Sequence, residues 1–466
     1  MNFSLTRPGP PASGRAPSNS LAAWAELRQL LRLAVPLVAT QLSQMVILAT
    51  DTVMLGHFST NALAAAALGN TVFVLAWLTG SGPAFAVAPM IAHILGDDPG
   101  NVVGVRHVAR MGLWSAAILS LPLMAYLLFT QNILLGFGED AGLAAGAARF
   151  MSTLCWGLPF AIGFMVLRNF STALSRPLAP MIVMGVAVLF NAFGDYALIF
   201  GHFGFPRLGL LGSGMASAAS NIFAFTALLA ILLTAPGLRR YRILRRLWRP
   251  DWPKLAEVFR LGIPIGLTMI FEVMLFAGAA LIMGHFGTAT LAAHQIALTI
   301  PSLTFMVPLG IGMAATVRVG LTAGAGDKAA ARRAGFVAIG AGGFFMSGTA
   351  LLFILFPHAI VTLWLADVPA NRDAIALAVS FLKVAAGFQI ADGIQGVASQ
   401  ALRGLKDARA PMWIAVASYW LAGFPVCILL GYWAGLKGLG IWLGLAFGLF
   451  VAAASLTWRF AWLSRR

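Results

Sequence analysis

Twelve apolar segments, each long enough to cross a lipid bilayer as a helix, divide this sequence of 466 residues. Only 10% of the residues are charged and 60% are hydrophobic, which leaves too little charge to cover a soluble protein of this size. Because lipid satisfies no backbone hydrogen bonds, runs of this length predict an all-α membrane protein. The predicted spans are residues 33–54, 62–92, 108–130, 149–168, 178–200, 211–234, 261–283, 291–317, 334–356, 375–401, 411–431 and 438–462.

The first and seventh spans carry the same phrase. Leu33–Ala65 and Leu261–Ala293 align without a gap at an offset of 228 residues, and eleven of 33 positions are identical. The identities include a proline, a threonine and a Gly-His-Phe triplet, which biased composition does not easily place in register. Since an even number of spans separates the copies, the two halves point the same way and are related by an axis along the membrane normal. The sequence therefore predicts two pseudo-symmetric bundles of six helices.

Basic residues gather on one side of the predicted spans. If the N-terminus is cytoplasmic, cytoplasmic segments hold 26 of the 31 Lys and Arg residues, as the positive-inside rule requires. We therefore predict a multi-pass protein of the cell inner membrane with both termini in the cytoplasm. The predicted domains are a disordered N-terminal tail at 1–32, an N-lobe at 33–234, a basic linker at 235–260, a C-lobe at 261–462 and a tail at 463–466.

The linker between the halves carries eight of the basic residues, within a chain of net charge +16. Its place between two membrane bundles predicts an anchor on anionic membrane lipid. A nucleic-acid or regulatory partner is the weaker alternative, and we predict no nucleic-acid binding.

Four of the 15 acidic residues lie inside predicted spans, where a lone carboxylate costs on the order of a few kcal/mol. Asp51 lies in the first span, and Asn191 and Asp195 lie one helical turn apart in the fifth. These three residues predict a cation site in the N-lobe, for Na+ or a proton. Glu272 and Asp392, in the seventh and tenth spans, predict a second acidic site in the C-lobe. The alternative is that these acids are only hydrogen-bonded struts.

The two acidic sites differ, because the repeat aligns Glu272 with Gln44 and gives Asp51 no acidic counterpart. We predict that Gln44, Phe388 and Gln395 line a cavity between the lobes. The chain has 18 Met and 33 Phe residues, and an apolar cavity that contains carboxylates would suit bulky lipophilic cations. The predicted partners are small cationic drugs or dyes and membrane lipid; we predict a monomer with no cofactor and no metal beyond a possible Na+.

The sequence resembles the MATE (multidrug and toxic compound extrusion) transporters over essentially residues 25–462. The resemblance rests on the two six-span halves, the paired Pro-x-x-x-Thr…Gly-His-Phe…Leu-Ala-Ala phrases, the long loop after the sixth span and the polar residues within the spans, Asp51, Asn191, Asp195, Glu272 and Asp392. It implies a V-shaped pair of bundles that exports organic cations by alternating access, driven by an inward gradient of Na+ or H+.

Acids in both lobes are similar to the NorM-like branch of that family, whereas the DinF-like branch relies on the N-lobe set. The resemblance implies that the three N-lobe residues hold the coupling cation and that the C-lobe acids take part in coupling or cargo binding. The chain departs from some NorM-like members at Phe388, where they carry a tyrosine. The ligand hydroxyl of that tyrosine is absent here.

Other classes of protein fit these residues less well. A lipid-linked oligosaccharide flippase of the same superfamily would need cationic residues deep in the cleft for its pyrophosphate, and the deep charges here are acidic. An intramembrane aspartyl protease would need two Asp that share a proton, commonly with a Gly-x-Gly-Asp signature, but Asp195 follows Ala-Phe-Gly. A channel has no need of separate acid sites in two repeated lobes. No CxxC, HExxH or Walker pattern occurs, so we predict that the protein is not an enzyme.

Overall fold

Twelve long helices make up this computed structural model, which describes residues 19–465. Each is long and apolar enough to cross a membrane, so the predicted all-α class and the predicted number of spans are confirmed. In chain order they are α1 (Asn19–Phe58), α2 (Thr60–Asp97), α3 (Val102–Leu128), α4 (Ala141–Ala173), α5 (Leu178–Phe200), α6 (Leu210–Thr234), α7 (Trp252–His285), α8 (Thr288–Gly324), α9 (Lys328–Leu355), α10 (Arg372–Gly404), α11 (Arg409–Trp433) and α12 (Lys437–Leu463).

The first helix begins earlier than the apolar pattern predicts. Residues 19–32, assigned above to a disordered tail, form the first turns of α1. Residues 1–18 lie outside the described part of the chain. The extension is stable because Leu30 is fully buried against helices of the other half of the molecule, and packing of this kind provides most helix stability in proteins.

The seventh helix also begins inside a segment predicted to be linker. Asp251 caps α7 by accepting a hydrogen bond from the backbone N–H of Lys254 at 3.2 Å. Leu255 and Val258, in the first two turns, are buried. The linker that remains between α6 and α7 is residues 235–251.

The repeated Pro-x-x-x-Thr phrase has the same structure in both halves. Pro36 in α1 and Pro264 in α7 each lie inside a continuous helix. The hydroxyl of Thr40 donates to the carbonyl oxygen of Pro36 at 2.8 Å, and that of Thr268 donates to Pro264 at 2.8 Å. A proline removes one bond from the helix ladder, and a threonine that bonds back to the preceding turn loosens it further. Both helices are therefore weakest at the same point.

The α11 helix is irregular where α1 and α7 are continuous. Two stretches, Val416–Gly423 and Leu429–Trp433, are π-helical. Single π turns occur mostly where a function requires a side chain to be turned out of the regular register. The first stretch carries Tyr419, whose role in the C-lobe is described below.

Three hydrophobic clusters organise the molecule. One fills the N-lobe (α1–α6) and a second fills the C-lobe (α7–α12). The N-lobe cluster also takes in Leu255, Val258 and Ile265 from the start of α7. The third cluster joins the start of α1, including Leu30 and Leu37, to helices of the C-lobe. The two repeated helices thus each begin in the opposite lobe and end in their own.

Close backbone contacts join the lobes at one end of the molecule. We call it the basic end: it is where α1 and α7 begin and where the 235–251 linker lies. A Cβ atom built on Gly82 of α2 would lie 2.5 Å from the carbonyl oxygen of Gly262 in α7. One built on Gly96, near the end of α2, would overlap the carbonyl oxygen of Leu321 in α8. Real Cβ atoms do not approach so closely, so glycine allows the lobes to meet backbone to backbone.

Polar contacts reinforce this closure. Arg318 of α8 donates to both carboxylate oxygens of Glu26 in α1, at 2.8 and 2.7 Å. His93 of α2 donates from Nε2 to the carbonyl oxygen of Gly404 in α10 at 2.8 Å. Each contact joins an N-lobe helix to a C-lobe helix. Two-pronged pairing of an arginine with a carboxylate is among the stronger polar contacts in proteins.

Toward the opposite, far end the lobes separate. From Gln41 onward, the buried residues of α1 are Asp51 and Leu55, whereas the turns before Gln41 are buried at Leu30, Leu37 and neighbouring positions. A helix that loses most of its buried residues at mid-length has lost a neighbouring helix there, and for α1 this neighbour is the opposite lobe. The cleft between the lobes is therefore closed at the basic end and open at the far end.

Candidate functional site

Polar groups from three helices converge in the N-lobe. Asp51 of α1 and Asn191 and Asp195 of α5 are all buried, as the sequence predicts for one site. Ser217 of α6 joins them: its hydroxyl donates to Asp51 Oδ2 at 2.7 Å and accepts from Asn191 Nδ2 at 3.4 Å. Nothing in the sequence singles out this serine, because serines are common within the spans.

Four oxygen atoms of this cluster are buried and accept no hydrogen bond from any residue between 19 and 465. They are Oδ1 of Asp51, Oδ1 of Asn191 and both carboxylate oxygens of Asp195. Asn191 and Ser217 join the two acids, because Asn191 lies one helical turn before Asp195 and donates to the serine that is bonded to Asp51. Ionised carboxylates only accept hydrogen bonds, so two of them buried in one cluster are favourable only when a proton or a cation neutralises them. Buried, unsatisfied oxygens of this kind fit Na+ or a proton in their donor chemistry.

The C-lobe acids are bridged by an amide. Nε2 of Gln395 in α10 donates to Glu272 Oε1 at 3.2 Å and to Asp392 Oδ1 at 3.1 Å. The hydroxyl of Tyr419, from the π-helical part of α11, donates to Oε1 of the same glutamine at 3.0 Å. The amide is thereby held with its donor toward both acids. Asp392 and Gln395 are buried, while Glu272 is half-buried.

Tyr419 brings a tyrosine hydroxyl to the C-lobe acids, where the sequence has Phe388 in place of a tyrosine. That hydroxyl is absent from α10, but α11 brings a tyrosine hydroxyl into the same cluster through Gln395. Sequence reasoning missed Tyr419 because a tyrosine in a membrane span is unremarkable by itself. The π-helical register that turns it inward has no simple sequence signal.

The structure places the three residues expected to line the cavity differently from one another. Gln44 is half-buried on the open part of α1. Phe388 is 2% exposed and packs in the C-lobe core, edge-to-face against Phe276 and Trp442, so its assignment to the cavity wall is wrong. Gln395 is buried between the two acids and organises them instead of forming an open wall.

Each lobe also contains a buried arginine toward the basic end. Arg168 of α4 is 1% exposed, and its Nη1 donates to Oε1 of Gln41 at 2.6 Å. Arg403 of α10 is buried, and its Nη1 donates to Oε1 of Gln400 at 3.4 Å. Neither forms an ion pair within residues 19–465. The apolar pattern placed both at span ends, so their burial was not foreseen.

Two lobes related by an internal repeat, with carboxylates buried within the spans of each, define a multi-pass membrane transporter. The sequence model of the MatE family matches residues 36–197 and 264–429, and the chain belongs to this family. A "Probable multidrug resistance protein NorM" from Mesorhizobium japonicum is 43% identical over 458 residues and covers 97% of each chain. A protein of the same name from Burkholderia pseudomallei is 44% identical and covers 92% of this chain and 91% of its own.

Solved structures show the same fold. A chain described as "Outward-facing conformation of a multidrug resistance MATE family transporter of the MOP superfamily" superposes with a TM-score of 0.85 at 18% identity, over 97% of this chain and 99% of its own. The "eukaryotic MATE transporter AtDTX14" gives a TM-score of 0.83 at 22% identity, over 95% of this chain and 98% of its own. The expected pair of six-helix bundles is confirmed.

Proposed function

We propose that this protein is a multidrug efflux antiporter, which exports lipophilic organic cations in exchange for inward movement of Na+ or H+. The observation that carries the proposal is the set of four buried oxygens on Asp51, Asn191 and Asp195 that have no hydrogen-bond partner in the described part of the chain. Such a set is stable only when a cation or proton neutralises it. The names of the NorM relatives support drugs as the cargo.

The repeated membrane unit and the charge pattern support the orientation. The basic end carries the linker and both described chain ends, and the positive-inside rule places it in the cytoplasm of an inner-membrane protein. The cleft, open at the far end, then faces outward. We propose that the protein works as a monomer with its two acidic sites in one chain.

A coupling ion that enters from outside would first meet the N-lobe carboxylates. Its binding removes the cost of two neighbouring buried charges, and Ser217 and Asn191 hold the first carboxylate in place through their hydrogen bonds. A ligand shifts a conformational equilibrium only through its different affinity for the two states. We propose that the neutralised site favours the state in which the lobes close at the far end and open at the basic end.

In the C-lobe, Glu272 is the acid with side-chain surface left exposed. We propose that it meets the cationic cargo, while Asp392 is held behind it by the bridging amide of Gln395. The coupling cation would then neutralise the acids of the N-lobe, and the cargo would neutralise those of the C-lobe. Cation and cargo are exchanged if the acids of only one lobe are neutralised at a time.

The test is efflux of ethidium from everted or reconstituted vesicles, with a Na+ gradient and a pH gradient imposed separately. The parent protein should export the dye under at least one gradient, and Asp51→Asn with Asp195→Asn should abolish the gradient-driven part. Asp373→Asn, at the exposed start of α10, is the matched control. Dye export that survives loss of both N-lobe acids would refute the coupling role.

No dye movement under either gradient would point instead to a lipid cargo and the flippase. The structure does not favour that alternative, because a pyrophosphate needs accessible cations. The arginine deepest in the N-lobe, Arg168, is 1% exposed and bonded to Gln41.

A further inference from the structure

The linker between the lobes is a folded surface element. Its side chains Leu238, Tyr241 and Ile243 are buried, and Tyr241 packs edge-to-face on Phe170 of α4 with ring centroids 5.6 Å apart. Successive turns close the chain, for example from the Arg245 N–H to the Arg242 carbonyl at 2.8 Å. A segment that only joined two bundles would not need this order.

Side chains of helix α3 hold the linker by hydrogen bonds to the linker's main-chain carbonyls. Arg106 donates from Nε to the carbonyl oxygen of Tyr241 at 2.5 Å, and Trp114 donates from Nε1 to that of Leu247 at 2.7 Å. Arg110 donates to the carbonyl oxygen of Arg249. Because the anchors use main-chain carbonyls, they do not occupy the arginine side chains of the linker. Arg240 donates from Nη2 to the hydroxyl of Tyr241 at 3.0 Å, which uses one of the several N–H donors of its guanidinium.

Those side chains converge on one pocket of about 570 Å³. It lies where α6 ends, and its walls are Leu233, Arg239, Arg240, Arg242, Leu244 and Arg245. None of the four arginines forms an ion pair with an acid among residues 19–465, and Arg242 and Arg245 lie within electrostatic range of Arg106. Like charges held together repel one another, and an anion would relieve that repulsion.

The backbone supports the same interpretation. Arg242 and Arg246 adopt φ angles of +43° and +59°, in the left-handed region that is unfavourable for residues other than glycine. Strain of this kind persists when the surrounding structure fixes it, and it is concentrated at binding sites. Here it turns arginine side chains outward while Tyr241 and Ile243 remain inside.

We propose that this pocket binds the phosphate headgroup of an anionic phospholipid. Arginine is suited to phosphate because its guanidinium pairs with two oxygens at once. The lipid is favoured over a soluble anion because the pocket continues onto Leu233, an exposed residue in the last turns of a membrane helix. Trp248 of the linker is 74% exposed, and tryptophans are enriched in the headgroup layer of membranes. The site lies outside both acidic clusters and does not depend on the transport proposal.

The test is a titration of the detergent-solubilised full-length protein with phosphatidylglycerol, followed by native mass spectrometry. The variant is Arg242→Gln with Arg245→Gln. The matched control is Arg260→Gln with Arg409→Gln, which removes the same charge from exposed positions at the same end. The pocket variant should weaken the apparent affinity about thirty-fold, because two direct arginine–phosphate contacts are lost. The control should change it little, because its arginines do not line the pocket.

Three further measurements keep the proposal falsifiable. Arg242→Lys with Arg245→Lys keeps the charge and should recover part of the lost affinity, which a misfolded pocket would not do. Phosphatidylcholine, which has no net charge, should bind equally weakly to all variants. Equal weakening in the pocket variant and in the Arg260 and Arg409 control would overturn the proposal. So would full competition by glycerol phosphate, which would show a site for soluble anions instead of lipid.

Discussion

The ion pair between Glu26 and Arg318 should set how readily the lobes part at the basic end. Its side chains are 8% and 18% exposed, so solvent screens the pair only in part. Hydrogen bonds to charged groups each contribute about 1.5–3 kcal/mol when buried, and exposed ion pairs much less. Between these limits, Glu26→Gln should cost the closed state about 1–2 kcal/mol, which is roughly a 5- to 30-fold rise in the population open at this end.

A single introduced cysteine can report that population. The two native cysteines, Cys155 and Cys427, are both buried, so the background should be low. Ala88 of α2 is buried in the cluster that joins the lobes, and Ala88→Cys should react with a maleimide only when the lobes part. When opening and closing are fast, the labelling rate follows the open population. Glu26→Gln should therefore raise the rate by the same 5- to 30-fold.

A second ion pair at the basic end supplies the control. Arg459 donates from Nε to Asp407 Oδ2 at 2.9 Å, and both residues belong to the C-lobe. Asp407→Asn weakens an ion pair within the C-lobe, held by one hydrogen bond instead of two, so the labelling rate should stay the same. An unchanged rate in Glu26→Gln, or an equal rise in Asp407→Asn, would refute the idea that this contact acts as a latch.

Three further substitutions test the two acidic clusters and the close backbone contact between the lobes. Ser217→Ala removes one hydroxyl bond to a site carboxylate and should weaken the apparent affinity for the coupling ion about five-fold in vesicle efflux. Ser220→Ala, on the same helix with a buried hydroxyl that has no partner among residues 19–465, should not, and equal losses would contradict the assignment. Tyr419→Phe frees the amide that bridges the C-lobe acids and should slow dye export about five-fold, whereas Tyr432→Phe, exposed on the same helix, should leave it unchanged. Gly82→Ala places a methyl 2.5 Å from a backbone oxygen of the other lobe and should accelerate labelling of the cysteine reporter. A labelling rate equal to that of the parent would show that the lobes accommodate the methyl group without opening.

Much of the architecture could be read from the sequence, because membrane helices carry their signal in a single run of residues. The number of spans and the two-lobed repeat needed only hydropathy and one repeated phrase. The starts of α1 and α7 were missed for a physical reason. Leu30 and Leu255 are buried by the opposite lobe, so the force that stabilises those turns comes from residues far away in the chain.

The acids of the candidate site were found because a carboxylate in a membrane span is costly and therefore conspicuous. Their hydrogen-bond partners were not found from the sequence. Ser217 and Tyr419 are ordinary residues within a span, and only the packing of α6 and α11 shows that their hydroxyls point at the site. Phe388 shares a face of α10 with Asp392, four residues further on, but that face is buried in the lobe. It was wrongly given to the cavity because spacing along one helix does not show which neighbouring helices cover the face.

The length of α1 has a mechanical consequence. One helix carries Glu26 at its start, Pro36 in its loosened turn and Asp51 near its end. The two carboxylates are about 38 Å apart along it, and the first is clamped in one lobe while the second is seated in the other. The proline thus divides the helix into one half held by the C-lobe and one half held by the N-lobe, so a change in the angle between the lobes must bend α1 at Pro36. Pro264 divides α7 in the same way, with the two lobes exchanged.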